Sequence, residues 1–447
     1  MARSVNVAII GAGVSGLVAA RELQREGHRV VVFEKSHRIG GTWAYDPRTE
    51  SDPLGNDPNR EIIHSSLYLS MRTNIPRQLM GYLDYPFVKR ETGDQRTFPG
   101  HEEVLRFLDD FAEEFGILEL TRFESEVLRV ELVGERKEEG WLVEWRSRGS
   151  ESLSRETFEA VVVCSGHNTV PKLAEIPGIE NWKRHQMHSH NYRTPDPFKG
   201  QAVVIIGKGP SGFDISKDIS KVAKEVHIAV RMNPMFVNGV KLQDFQNLSH
   251  HSPIKCVYED GLVEFEDGSS VYADAVVHCT GYKYHFPFLR TKGIVDVEES
   301  RVGPLYKHVF PPALAPWLCF IGITSHDPAF LIYELQSKWV AKVLSGKVEL
   351  PSTEEMMDCV QNHYKFMEDN QIPKHHTHIL RPHQADYKDW LVEKSGQGAL
   401  EEWREKMFSE VLSKFLEMQL FHIDQRDDGY WHSILHSSSS SPPSQNP

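Results

Sequence analysis

The chain has 447 residues, of which 40% are hydrophobic and 25% charged, and a formal net charge of -13. Its length exceeds what one hydrophobic core sustains, so two domains of ordinary globular composition are expected. The negative balance, with no long basic run, argues against nucleic acid and anionic lipid as partners.

Residues 5–10 (Val-Asn-Val-Ala-Ile-Ile) predict a buried strand that starts almost at Met1, leaving no room for a signal peptide. A glycine turn, an amphipathic helix and a second apolar strand ending at Glu34 follow. Gly11 allows the tight turn, Gly13 lets backbone approach a pyrophosphate, and Gly16 lets the helix pack against the strand. The helix N-terminus offers N–H groups to phosphate, and Glu34 is placed to accept from a ribose 2′-hydroxyl. A plain βαβ turn is the alternative. The order of strand, glycines, helix, strand and acid favours a dinucleotide site.

In Arg38-Ile-Gly-Gly41-Thr-Trp43 the paired glycines let backbone pass close to a ligand, and Trp43 can cover a flat ring system. A glycine loop with a buried Trp reads equally well in isolation; after a dinucleotide motif the segment leans to flavin. Residues 46–61 read as a surface loop. Residues 102–115 have helical apolar spacing, residues 124–132 and 140–146 alternate as strands, and residues 158–164 form an apolar strand closed by Ser165-Gly166.

Prolines and aromatics at 171–197 mark a crossing between domains, after which the opening pattern returns with Gly207, Gly209 and Gly212. In this copy the place of Glu34 falls to Val230, followed by Arg231. An Arg there suits a 2′-phosphate, hence NADP, although a surface Arg at a strand end is the alternative. A small strand pair turns at Asp260-Gly261, and residues 274–281 repeat the apolar strand with its glycine ending. A strand at 318–323 is expected to return the chain to the first domain.

The predicted fold is therefore α/β, with two Rossmann-like dinucleotide-binding domains and the NADPH domain inserted in the FAD domain. The FAD-binding domain takes residues 1–170 and 320–436, and the NADPH-binding domain 171–319. Helices are predicted at 333–344, from a Ser352/Glu355 capping box to about Glu368, and at 400–420. The apolar stripe of the last one reads as core packing rather than a membrane face, because its other side mixes both charges. The Ser/Pro-rich end, 437–447, is expected to be disordered and gives no C-terminal anchor. The longest apolar run, 315–323, is far short of the roughly 20 residues of a membrane span. The five cysteines (Cys164, Cys256, Cys279, Cys319 and Cys359) lie far apart without a CxxC. That pattern predicts reduced thiols in a cytoplasmic protein and disfavours zinc, a redox disulfide and a disulfide reductase. Lys374-His-His-Thr-His378 with His383 has no carboxylate or Cys in register, so a polar loop is favoured over a metal site.

Residues 25–35 with Gly40-Gly-Thr-Trp43, Leu69 to Phe87 with Arg72-Thr-Asn74, His278-Cys-Thr-Gly-Tyr282, and Glu334-Leu-Gln336-Ser-Lys-Trp339 together resemble the flavin-containing monooxygenases. Within them the chain is similar to the plant S-oxygenase branch, which includes glucosinolate and alkylcysteine S-oxygenases. The likeness runs in one order from about Val5 to Leu420. The family pattern Phe-x-Gly-x-x-x-His-x-x-x-Tyr/Phe meets Trp182, Arg184, His188 and Tyr192 here, keeping the His and the aromatic. The segment 325–333 also departs from the Pro- and aromatic-rich form of the family, at the expected border of the substrate opening.

The resemblance implies FAD and NADPH as cofactors. NADPH reduces FAD, O₂ adds at flavin C4a, and the hydroperoxide is taken by a soft nucleophile, a thioether sulfur or an amine. It also implies that Asn74 donates its carboxamide to the hydroperoxide or to retained NADP, where spacing alone reads equally as an Asx turn before Ile75-Pro76. Thr280 and Gln336 are candidates to face the flavin, or else to close a strand and cap a helix. His188 reads as a domain-interface residue rather than a general base. Other readings of the same chain are N-oxygenation of amines and a catalytically silent flavoprotein acting as a binding partner.

Overall fold

The computed structural model describes residues 3–134, 136–230, 241–242, 245–380, 383–421 and 428–437. Arg231 and the tail 438–447 lie outside these residues.

The opening apolar run forms the strand Asn6–Ile10, the centre of a five-stranded parallel sheet. It pairs with Arg29–Phe33 on one side and Ala160–Val163 on the other. Thr121–Arg122 and Leu318–Phe320 extend the two edges. These strands are continuously apolar rather than alternating because elements cover both faces of the sheet. The covering helices include α1 (Val14–Arg25) and α2 (His101–Glu114), the latter burying Val104, Leu105, Leu108 and Phe111 on one stripe, as its spacing predicts.

A second sheet holds the second motif. Its centre is Ala202–Ile206, flanked in parallel by Glu225–Ala229 and Ala275–His278, with α3 (Pro210–Ser220) between the first two. His185–His188 and Phe245–His251 add parallel strands outside, and Lys241–Leu242 closes one edge antiparallel. Small antiparallel sheets carry the linking segments, one of them Ile254–Val257, Leu262–Phe265 and Ser270–Tyr272.

The apolar run 158–164, expected as one strand, is two. Phe158 ends the hairpin strand Leu153–Phe158, which pairs with Trp141–Ser147, while Ala160 begins the central-sheet strand. Glu159 makes the break: its amide donates to the Asn6 carbonyl, and its carboxylate accepts from the Asn6 amide at 2.9 Å.

Helix α4 (Ala329–Leu344) begins a turn before its predicted start at Tyr333. Phe330, Leu331 and Ile332 are all buried, so that first turn shows no amphipathic period. In α5 (Thr353–Asp369) the capping box forms, with Ser352 Oγ accepting from the Glu355 amide at 3.2 Å and Glu355 from the Ser352 amide at 2.8 Å. Helix α6 (Gln384–Ser395) has no sequence counterpart above. Helix α7 (Glu402–Phe421) packs Met407, Phe408 and Val411 against Leu79, Phe98 and the Trp431 of α8 (Asp428–Ser437). Among the described residues no helix is long and apolar enough to cross a membrane, and no group of His, Cys, Asp and Glu is placed to hold a metal ion.

Candidate active site

The first glycine turn is built by close approach. Gly11 has φ +105°, and its amide donates to the Phe33 carbonyl at 2.8 Å. A Cβ on Gly11 would stand 2.6 Å from the Cys164 carbonyl oxygen, where the strand Ala160–Val163 ends. Gly13 caps α1 without any side-chain hydrogen bond, leaving the first helical N–H groups for a ligand. Opposite it lies Gly41: a Cβ on Gly41 would come within 3.0 Å of Gly13 Cα, and the Gly40 amide donates to the Ala12 carbonyl at 3.0 Å. The two glycine segments, with Gly13 and Gly41 separated by 28 positions (41 − 13), thus form one cradle, beside which Trp43 is half-buried.

Glu34 anchors this cradle. Its carboxylate accepts from the Ala12 amide at 2.8 Å and from the Ser36 amide at 2.7 Å. Burial pushes its pKa up, against the lowering pull of those two amides.

The second turn repeats the first almost atom for atom. Gly207 has φ +95°, and its amide donates to the Ala229 carbonyl at 3.0 Å. Its Cβ position is 2.6 Å from the Cys279 carbonyl oxygen, and that of Gly212 is 2.1 Å from the Gly207 carbonyl. Gly209 has open space at its Cβ position. Lys208, between two of the glycines, has its ammonium pushed down to about 7 by burial. No acid stands at Val230, the counterpart of Glu34.

His188, Thr280, Gln336 and Arg184 are each held by protein partners. His188 is fully buried, and burial pushes it down to about 3. Its Nδ1 accepts from the His190 amide at 3.1 Å, so the ring proton sits on Nε2 and donates to the Gly281 carbonyl at 3.0 Å. That arrangement fits a joint, not a base. Thr280 donates through Oγ1 to the Lys172 carbonyl. Gln336 is fully buried: Oε1 accepts from the Gly322 amide at 3.3 Å, and Nε2 donates to the Tyr387 hydroxyl at 2.9 Å. Both side chains therefore have protein partners. Arg184 sits over Gly261 and binds the carbonyls of Asp260 and Ala273 and the Asp274 carboxylate, clamping the small sheet. Asn74 is exposed, in a loop pinned by the Thr73 amide on the Pro99 carbonyl and the Arg72 guanidinium on the Phe98 carbonyl.

Residues 4–247 and 247–396 match the model of the flavin-binding monooxygenase-like family. The chain belongs to this family. Flavin-containing monooxygenase FMO GS-OX5 of Arabidopsis thaliana is 54% identical over 406 residues, covering 90% of this chain and 87% of that one. Among solved structures, the S-allyl-L-cysteine S-oxygenase of Allium sativum superposes with a TM-score of 0.93 at 50% identity, over 98% of this chain and 100% of that one. Tmm from Pelagibacter sp. strain HTCC7211 gives 0.76 at 26% identity, over 91% and 90%. Within the family, this flavin monooxygenase groups with the plant S-oxygenase branch.

The flavin monooxygenase is an FAD- and NADPH-dependent enzyme, and its residues fit both cofactors. Gly11 and Gly41 bring backbone together where a Cβ would collide, Gly13 leaves the N-terminus of α1 uncapped for a phosphate, and Glu34 already points its carboxylate at the turn. Gly209 is open beside Lys208 in the second turn. Two features escaped the sequence reading. One is the role of Cys164 and Cys279 carbonyls as matching walls of the turns, foreshadowed only by the repeated strand endings. The other is the burial of Arg21 against Glu334, for which no local pattern gives a signal.

Proposed function

We propose that this flavin monooxygenase S-oxygenates the thioether groups of small metabolites of glucosinolate or alkylcysteine type. The net reaction converts thioether, O₂, NADPH and a proton into sulfoxide, NADP⁺ and water. The observation that carries the reading is the superposition, over nearly the whole of both chains, on the S-allyl-L-cysteine S-oxygenase. When bound, FAD supplies the redox and oxygen chemistry, so the protein needs no acid–base triad.

The protein's part is to bind, orient and keep water out. The insertion of the NADPH-binding domain in the FAD-binding domain is supported by the pairing of Leu318–Phe320 with Ala160–Val163 in the first sheet, while Leu289–Arg290, inside the proposed 171–319 span, already pairs with the strand Ser125–Leu132 and brings the return of the chain forward from residue 320. Glu34 is assigned to the adenosine ribose of FAD, the Gly13–Gly41 cradle to its pyrophosphate, and Trp43 to one face of the ring system. Gly207, Gly209 and Gly212 are assigned to NADPH, with Arg231 on its 2′-phosphate. Asn74 is assigned to the hydrogen bond with the reacting oxygen or with retained NADP, and Thr280 and Gln336 to the walls that hold the flavin's surroundings in place. Buried aromatic and aliphatic side chains exclude water.

Purified protein should be yellow, should bleach faster with NADPH than with NADH, and should convert a methylthio or alkylcysteine substrate to its sulfoxide by mass. Oxidation of amines alone, or absence of NADPH oxidation, overturns the reading.

A further inference from the structure

The turn between the strand Leu318–Phe320 and helix α4 is wedged against the first glycine motif. A Cβ on Gly322 would lie 3.2 Å from Cβ of Ser15, in the first turn of α1. The Gly322 carbonyl meets His167 Nδ1 at 2.9 Å, and the Ile323 carbonyl accepts from the Tyr284 hydroxyl at 2.6 Å. His167 and Tyr284 lie on the two segments that connect the sheets, so residues 322–327 stand where the flavin turn meets both links. From Ser325 to Tyr333 the chain also departs from the expected family form.

Asp327 ends this turn. The preceding His326 takes φ +61°, an unfavourable backbone for a non-glycine residue. Asp327 does not cap α4, whose N-terminus has no side-chain hydrogen bond. Its Oδ2 is buried with no hydrogen-bond partner, and among the described residues no Lys, Arg or His ion-pairs with it. Its charge is felt by the phenols of Tyr284, Tyr333 and Tyr387, and Thr324 lies beside it. A carboxylate held out of water with an unfilled acceptor is costly, and a ligand cation would remove that cost.

We propose that Asp327 is the counter-ion for a positively charged group on the substrate, selecting thioethers that carry an ammonium over neutral or anionic ones. This rests on the S-oxygenation reading above and narrows it to amino-acid-like thioethers. Burial raises the Asp327 carboxyl to about 6, consistent with a group that ionises fully only when a cation joins it. A fixed negative group on the substrate would meet the same carboxylate as repulsion.

The test compares sulfoxide formation from an S-alkylcysteine, its N-acetyl derivative and an uncharged alkyl thioether. The enzyme should prefer the free amine over its N-acetyl derivative by about tenfold or more in kcat/KM, the scale of one charge-assisted hydrogen bond. Asp327→Asn should bring that ratio close to one, through KM for the free amine, and Asp327→Glu should restore it in part. A wild type without preference, or an Asn variant that keeps it, overturns the assignment. Should Asp327→Asn fail to hold FAD, inhibition of the wild type decides: a simple alkylammonium ion should compete with the S-alkylcysteine and the matching alcohol should not, and equal inhibition overturns the proposal. Turnover of the uncharged thioether without any ammonium preference removes only the role of Asp327. Failure to form a sulfoxide from all three removes the S-oxygenation reading, and this assignment with it.

Discussion

Arg21 Nη2 donates to Glu334 Oε1 across 3.0 Å, although 313 residues separate them. Both are buried, Arg21 1% and Glu334 0% exposed at the side chain. Arg21 also binds Glu22 and Asp84, and Glu334 accepts from the Leu83 amide at 2.7 Å and pairs with Lys338. The pair stitches α1, the arm of the flavin motif, to α4 from the far end of the chain. Removing Glu334 takes the fully buried partner from both Arg21 and Lys338, while Glu22 and Asp84 still hold Arg21, so the cost lies below the about 3–5 kcal/mol of a fully uncompensated buried charge. Glu334→Ala should therefore lower the melting temperature of the FAD-loaded protein sharply, more than Lys338→Ala does, as thermal unfolding will show.

The two glycine turns separate the cofactors by mutation. A Cβ at position 16 would stand 1.9 Å from the Gly11 carbonyl oxygen, and one at position 212 would stand 2.1 Å from that of Gly207. Neither backbone oxygen can move without opening its turn. Gly16→Ala should give colourless protein, and Gly212→Ala yellow protein with a raised KM for NADPH. Loss of colour in both would mean the two turns do not serve separate cofactors.

Arg231→Ala should raise KM for NADPH with little change for NADH, because only the former carries the 2′-phosphate. A bidentate guanidinium–phosphate contact contributes about 1.5–3 kcal/mol, or a factor of roughly 10 to 100 in the steady-state ratio of the two cofactors. An unchanged ratio removes Arg231 from the site.

Asn74→Ala is expected to let NADPH consumption continue while hydrogen peroxide accumulates in place of sulfoxide. Peroxide and sulfoxide yields per NADPH, measured together, check this. Normal coupling would take Asn74 out of the mechanism.

Asp327 predicts a pH profile. Its carboxyl is raised by burial to about 6, and it couples electrostatically to the Tyr284, Tyr333 and Tyr387 phenols, with the Thr324 hydroxyl beside it. For an ammonium-bearing thioether, kcat/KM should climb as pH rises through about 6, and Asp327→Asn should flatten that limb. Linkage runs the other way for folding. Between the ordinary carboxylate range and pH 6 the unfolded chain binds fewer protons than the native one, so this group's contribution to stability falls as pH rises through that window.

Both nucleotide turns, their helices and their second strands were legible in the sequence because each is a local pattern. Glycine spacing, strand apolarity and a terminal acid act within some 30 residues, and the backbone geometry they require admits few alternatives. The capping box of α5 was legible for the same reason. What only the tertiary structure decided is set by contacts distant in sequence. The strand break at Glu159 depends on Asn6 reaching it. The early start of α4 depends on burial all round its first turn, which erases periodicity. Gln336 and Thr280, ambiguous as letters, take protein partners at Gly322, Tyr387 and Lys172. Asp327 acquires its meaning only when folding buries one oxygen and, among the described residues, supplies no cation, since desolvation and pairing are properties of surroundings rather than of residue type.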